Sequence, residues 1–268
     1  MVKRRERQRS FAKTEEDLIV GRQAVLEALV HGTVNRVYAI EGRKGAIISE
    51  IAAAARQKEI PFISLSREEF ERLVPNHAGH QGVAALAPPY RYHALPDLIR
   101  LAQKNEAPFL LLLDHIQDPQ NLGSILRTAG AAGVDGLIIT GPRSAKITPA
   151  VRKVAAGAAE RVPVALVGNL HQAIVALKKE GFWVYGAEAD GCTPYYALDY
   201  RLPLALVIGS EAKGLLRLVR ENCDQTLFIP MEGGANSLNA AVAAAVIIFA
   251  AVAQRKGWQK PPSPSPKP

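Results

Sequence analysis

Hydrophobic positions fall into two patterns along the chain. Between residues 18 and 88 short apolar segments of two periods alternate. Helical spacing covers 23–29 and 47–57, and strand-like runs cover 34–40, 61–65 and 81–87. Ser66, followed three residues later by Glu69, has the spacing of a helix capping box. This alternation predicts a small α/β domain. From residue 108 the apolar runs become continuous. Residues 109–113 and 204–208 hold no polar side chain, as expected of parallel strands covered on both faces. Further strands are predicted at 137–139, 164–167, 182–187 and 226–229. Helices are predicted at 122–132, 149–159, 170–179, near 215–220, and over the Ala-rich stretch 238–254.

Pro88, Pro89 and Pro96 mark a change in composition, so the boundaries read as an arm at 1–16, a first domain at 17–90, a linker carrying a short helix at 91–106, a second domain at 107–257 and a Pro-rich tail at 258–268. The 268 residues are 48% hydrophobic and 22% charged, which excludes a disordered or fibrous chain. The net charge of +8 is uneven: +3 in residues 1–16, +4 in residues 255–268, and only +1 in the body between them. Basic arms without apolar periodicity attract polyanions or simply solubilise the chain. Two cysteines, Cys192 and Cys223, cannot build a disulfide framework, and no Cys/His spacing resembles a metal site. The uncharged apolar run at 240–253 is too short for a membrane span. A cytoplasmic protein is the expectation.

Three polar segments follow predicted strands, at the end of an α/β sheet where ligands bind. The first, 114–128, holds Asn121 near a helix N-cap and Arg127 two turns into the helix. A guanidinium on an apolar helix is either a buried charge held by a partner or a group awaiting an anion. The second segment is Gly209-Ser210-Glu211-Ala212-Lys213-Gly214, which alone is a weak signal and reads equally as a capped turn. The third runs from Ile229-Pro230-Met231 to Ser237-Leu238-Asn239 and opens the last helix, where capping is the plainer alternative. Neither a G-x-G-x-x-G nor a G-K-[ST] phosphate loop is present in these segments.

In this order and spacing the three segments resemble the SpoU (TrmH) family of RNA 2′-O-ribose methyltransferases. The matching pieces are Asn121-x-Gly123-x-x-x-Arg127, Gly209-x-Glu211-x-x-Gly214, and Ile229-Pro230-Met231 leading to Ser237-Leu238-Asn239. Residues 21–29 and His80-Gln81-Gly82-Val83 are similar to the ribosomal-protein-like substrate-binding domain of many members. After Ser-Leu-Asn the family usually continues Val-Ser, where this chain has Ala240 and Ala241.

The resemblance implies a trefoil-knotted, parallel-sheet α/β methyltransferase domain behind a small α/β RNA-binding domain. It implies S-adenosylmethionine as cofactor, held by Gly209, Ile229 and Leu238 with Pro230, Met231 and Gly214 beside them, and no metal. Arg127 is the implied catalytic residue, with Asn121, Glu211, Ser237 and Asn239 orienting it and the ribose. A homodimer is implied; the uncharged last helix suits its interface, and equally suits burial within one subunit. Arg22, Arg36, Arg43 and Lys44 are candidate phosphate contacts in the first domain. The expected substrate is structured RNA, a guanosine ribose of 23S ribosomal RNA. Transfer RNA and noncatalytic RNA binding are the alternatives.

Overall fold

The computed structural model describes residues 17–31, 34–43, 45–74, 80–141, 143–211, 213–233 and 237–258. The basic arm, Lys44 and the tail after Trp258 lie outside the described residues. The chain divides into two units. One comprises the chain up to Arg91 together with Ile147–Glu160, and the other comprises Tyr92–Lys146 and the chain from Arg161 onward.

In the first unit the elements are β1 (Asp17–Val20), α1 (Arg22–His31), β2 (Arg36–Ile40), α2 (Ala46–Gln57), β3 (Phe62–Leu65), α3 (Arg67–Leu73) and β4 (Val83–Ala87). The sheet order is β1-β4-β2-β3, with β4 antiparallel to β1 and β2 and β3 parallel to β2. Strand alternation splits its apolar residues between two layers. Ile19, Val37 and Ala39 face α1 and α2 through Val25, Leu29 and Ile51. Val20, Tyr38 and Ile40 face Phe70 and Val74. The capping box forms: the Glu69 amide donates to Ser66 Oγ at 3.2 Å, and the Ser66 amide donates to Glu69 Oε2 at 3.1 Å.

The chain continues as α4 (Leu95–Ala102), β5 (Phe109–Leu113), α5 (Pro119–Ala132), β6 (Gly136–Thr140), α6 (Pro149–Ala155), α7 (Ala158–Arg161), β7 (Val164–Val167), α8 (Leu170–Lys179), β8 (Trp183–Ala187), β9 (Thr193–Pro194), β10 (Leu204–Ile208), α9 (Arg217–Glu221), β11 (Gln225–Phe228) and α10 (Ala240–Lys256). A short 3₁₀ turn, Tyr195–Ala197, follows β9.

The second unit is built on a seven-stranded sheet of order β7-β6-β5-β10-β8-β11-β9, parallel throughout. Leu110, Leu112, Ala205 and Val207 pack on one face against Leu98, Ile174, Leu177 and Val219. On α5 and α10, which pack together, Leu122, Ile125, Leu126, Ala244, Ile247 and Ile248 are buried. The stretch read as a linker is therefore part of this unit: His93 bridges to Ala165, and Leu98, Ile99 and Ala102 of α4 enter the core. No helix among the described residues is long and apolar enough to cross a membrane.

The segment 147–160 departs further from the sequence reading. A single helix over 149–159 is broken at Ala156 (φ 49°) and Gly157 (φ 88°), which separate α6 from α7. A Cβ at Gly157 would lie 2.1 Å from Glu27 Cγ, so the turn is seated on α1. Arg152, 5% exposed, reaches Asp17 Oδ2 at 3.3 Å and Glu160 Oε1 at 3.2 Å, and its guanidinium lies 5.5 Å from the Tyr90 ring centroid. Burial pushes the Asp17 and Glu160 carboxyls up, and Arg152 pulls both back toward the charged form. Arg152→Ala is expected to destabilise the first unit by about 3 kcal/mol, because it strands two part-buried acids. A thermal melt checks this; an unchanged midpoint would mean the cluster is energetically idle.

Candidate active site

The loops after β5, β10 and β11 meet at the C-terminal edge of the parallel sheet. The meeting point is one carboxylate oxygen. Asn121 Nδ2 donates to Glu211 Oε1 at 2.9 Å, the Ala240 amide donates to the same oxygen at 3.2 Å, and Asn239 Nδ2 bonds it as well. Asn239 Nδ2 also donates to Asn121 Oδ1 at 2.9 Å. Asn239 Oδ1 in turn accepts from the Ala241 and Val242 amides at 2.9 and 3.3 Å. Glu211 thus caps a helix, as the plain reading of its segment allowed, but the helix is α10 rather than the one following its own loop. An anion at that N-terminus is favoured by the helix dipole. These bonds engage the first three amides of α10, so the serine hydroxyl usual at position 241 is not needed to start it.

Two local readings change. Asp118, not Asn121, caps α5: its Oδ1 accepts from the Gln120 amide at 3.0 Å, Pro119 occupies the first turn, and Gly133 ends the helix at φ 72°. This frees the Asn121 side chain to join the other loops. The Arg127 side chain is exposed and makes no hydrogen bond or ion pair with the described residues, so it is not a buried charge held by a partner. It lies six residues beyond Asn121 on α5, about 9 Å of helix rise and about a third of a turn around the helix. Ser237 is exposed and is not joined to the junction among the described residues; residues 234–236 before it lie outside the description.

The 209–216 loop folds back on itself. Ser210 and Gly214 exchange backbone hydrogen bonds of 3.0 and 2.8 Å. A Cβ at Gly209 would lie 2.3 Å from the Gly214 carbonyl carbon and 2.7 Å from the Leu215 nitrogen. A side chain at 209 therefore prevents loop closure outright, a different constraint from room left for a ligand. Gly214 has φ 60°, and a Cβ there would meet Glu188 Oε2 at 2.5 Å. Asp114 and Glu188, which carry no motif signal, hold this loop: Asp114 Oδ2 accepts from the Leu216 amide at 2.7 Å and Glu188 Oε1 from the Leu215 amide at 2.8 Å. Burial raises the Glu188 carboxyl, opposed by the Leu215 bond and Arg220.

Gly209, Gly214, Ile229, Pro230 and Leu238 are half-buried and Met231 is exposed, on two of the loops that reach the junction. These six positions carry no charge. Among the described residues no group of three or more His, Cys, Asp or Glu could hold a metal ion. Burial pushes the Cys223 thiol up to about 12, which leaves no thiolate there for nucleophilic chemistry.

In the first unit the structure brings Arg22 and Arg43 to one cleft, lined also by Gln23, Ile47 and Gln81. The Arg22 amide donates to Gln81 Oε1 at 3.1 Å and its Nε to the Gln81 carbonyl at 3.3 Å, joining the two sequence motifs of this unit. Arg36 lies at the opposite end of β2, paired with Leu86, with Nη1 at 3.3 Å from the Tyr38 hydroxyl, and is not part of this cluster.

The chain matches two family models. Residues 108–249 match the SpoU rRNA Methylase family, and residues 18–93 match the RNA 2′-O ribose methyltransferase substrate-binding family. A Staphylococcus haemolyticus protein, assigned by name to the TrmH family of tRNA/rRNA methyltransferases, is 44% identical over 237 residues, which cover 88% of this chain and 94% of that one. The SpoU methyltransferase AviRb from Streptomyces viridochromogenes, solved in complex with the cofactor AdoMet, superposes with TM-score 0.76 at 26% identity, covering 91% of this chain and 92% of that one. AviRb solved separately superposes with TM-score 0.76 at 28% identity over 95% and 93% of the two chains. Matched over most of its length in sequence and fold, the chain belongs to the SpoU (TrmH) family of RNA methyltransferases.

Proposed function

We propose that this protein methylates a ribose 2′-hydroxyl in structured RNA, a guanosine of 23S ribosomal RNA, using S-adenosylmethionine. The observation that carries the reading is the polar junction of Asn121, Glu211 and Asn239, together with Arg127, which lies further along the helix that bears Asn121 and is unbonded through its side chain to the described residues. The cofactor's sulfonium supplies an electrophilic methyl group. Gly209, Gly214, Ile229, Pro230, Met231 and Leu238 would hold it through backbone groups and apolar contact.

A ribose hydroxyl is a weak nucleophile, so it must be aligned and its developing negative charge stabilised. A guanidinium stays protonated at any physiological pH and is a poor base. Arg127 therefore grips the phosphate beside the target ribose and sets the 2′-oxygen in line. Asn121, Asn239 and Glu211 fix the start of α5 and α10 around it, and Ser237 offers a hydroxyl to the ribose. An exposed arginine on α5 whose side chain has no partner among the described residues favours catalysis over RNA binding alone.

The resemblance of the first unit to a ribosomal-protein-like substrate-binding domain favours ribosomal over transfer RNA, with Arg22 and Arg43 on phosphates and Arg36, Lys44 and the basic arms adding nonspecific attraction. The reading includes the knotted chain course of the family for the second domain. It also includes a homodimer on α10, where the apolar side chains Val242 and Phe249, one heptad apart, are 48% and 43% exposed. Val242→Asp with Phe249→Asp is expected to halve the mass seen by light scattering; a wild type that is already monomeric would remove the dimer from the reading. Mapping ribose methylation of ribosomal RNA in cells lacking the protein tests the substrate. One 23S guanosine should lose its methyl group, and a loss confined to transfer RNA would reassign the target.

A further inference from the structure

We propose that Asp114 and Glu188 are positioning residues that clamp the cofactor loop from both sides and thereby set its affinity for S-adenosylmethionine. The inference rests on the functional reading above and concerns Glu188, outside the three segments, and Asp114, which opens the first segment but lies outside its matching piece 121–127.

The three strands β5, β10 and β8 are neighbours, and Leu113, Ile208 and Ala187 stand in one row across them. The residues that follow are Asp114, Gly209 and Glu188, so the two carboxylates come from the strands on either side of the one that leads into the bare glycine. Because Gly209 has no side chain, the loop returns over its own strand end and brings two successive amides above the row. Glu188 takes the Leu215 amide at 2.8 Å and Asp114 takes the Leu216 amide at 2.7 Å. Asp114 is fully buried, and its second oxygen is occupied by His115 Nδ1 at 2.6 Å. Ionised groups are retained in such surroundings only when their oxygens are bonded.

The other half of the loop is fixed separately, through Glu211 to Asn121, Asn239 and the Ala240 amide. The loop is thus anchored at Glu211 on one side and at the Leu215 and Leu216 amides on the other. Releasing one end makes the ligand-competent form a fraction of the population, which weakens binding by that fraction.

Chain length, rather than charge, is what the clamp demands at 188. Glu188→Asp keeps the charge and loses the reach to Leu215; Glu188→Gln keeps the reach and an acceptor oxygen. Calorimetry with S-adenosylmethionine and steady-state kinetics on both variants, with melting temperatures from the same preparations, test the proposal. Glu188→Asp should raise the cofactor Kd and KM at least tenfold while the KM for RNA stays within about twofold, and Glu188→Gln should restore most of the affinity. Asp114→Asn should lie with Glu188→Gln. A folded Glu188→Asp protein with wild-type cofactor KM would overturn the clamp, as would activity that falls only with the folded fraction. Failure of the wild type itself to bind the cofactor is a separate result, which overturns the cofactor reading and the clamp with it.

Discussion

Arg127→Ala is expected to lower methyl transfer by two to four orders of magnitude, on the order seen when a single group that stabilises transition-state charge is removed. The melting temperature should hardly move, because Arg127 is exposed and bonds to none of the described residues. Cofactor affinity should also persist, since the groups assigned to it lie on other loops. Arg127→Lys should fail almost as badly, because an ammonium cannot reproduce the planar two-donor grip on a phosphate. A folded Arg127→Ala protein that binds cofactor and transfers methyl near the normal rate would remove Arg127 from catalysis.

The second large effect is expected at Glu211. Its Oε1 gathers the side chains of Asn121 and Asn239 and the Ala240 amide, so Glu211→Ala leaves three donors without their common acceptor. Methyl transfer should fall at least a hundredfold, because the loop after β10 is no longer tied to α5, which bears Arg127, or to the start of α10. Stability should fall by only about 1–2 kcal/mol, since the site is open to water, which can replace the lost acceptor. Glu211→Gln, which keeps an acceptor oxygen, should land between the two. A rate assay beside a thermal melt separates these outcomes; a loss of stability that fully accounts for the loss of rate would make Glu211 a helix cap alone.

The parallel sheet was legible in the sequence because Phe109–Leu113 and Leu204–Ile208 are short apolar runs without polar residues, as strands covered on both faces are. Local capping chemistry was legible where partners are close in sequence, as for Ser66 and Glu69. It misled at α5, where Asp118 and Pro119 form the helix start and Asn121 was read as the cap. Residues that act at long range left little trace. Arg152 has the look of a surface helix cation, yet its partners Asp17 and Tyr90 come from another part of the chain, so the place of 147–160 in the first unit could not be read locally. Asp114 and Glu188 become a pair only through strand register, which the sequence does not state. The three site segments were recognisable by motif; that they converge on Glu211 Oε1 needed the fold.

The most direct measurement is chemical identification of the product. Purified protein, S-adenosylmethionine carrying a labelled methyl group and unmodified 23S ribosomal RNA should be incubated with a metal chelator, and the RNA digested to nucleosides. The label should appear in a 2′-O-methylated nucleoside, guanosine, at a single position, and disappear with Arg127→Ala. Label on a base, or no incorporation into RNA by a protein that binds the cofactor, would contradict the assignment of ribose methylation.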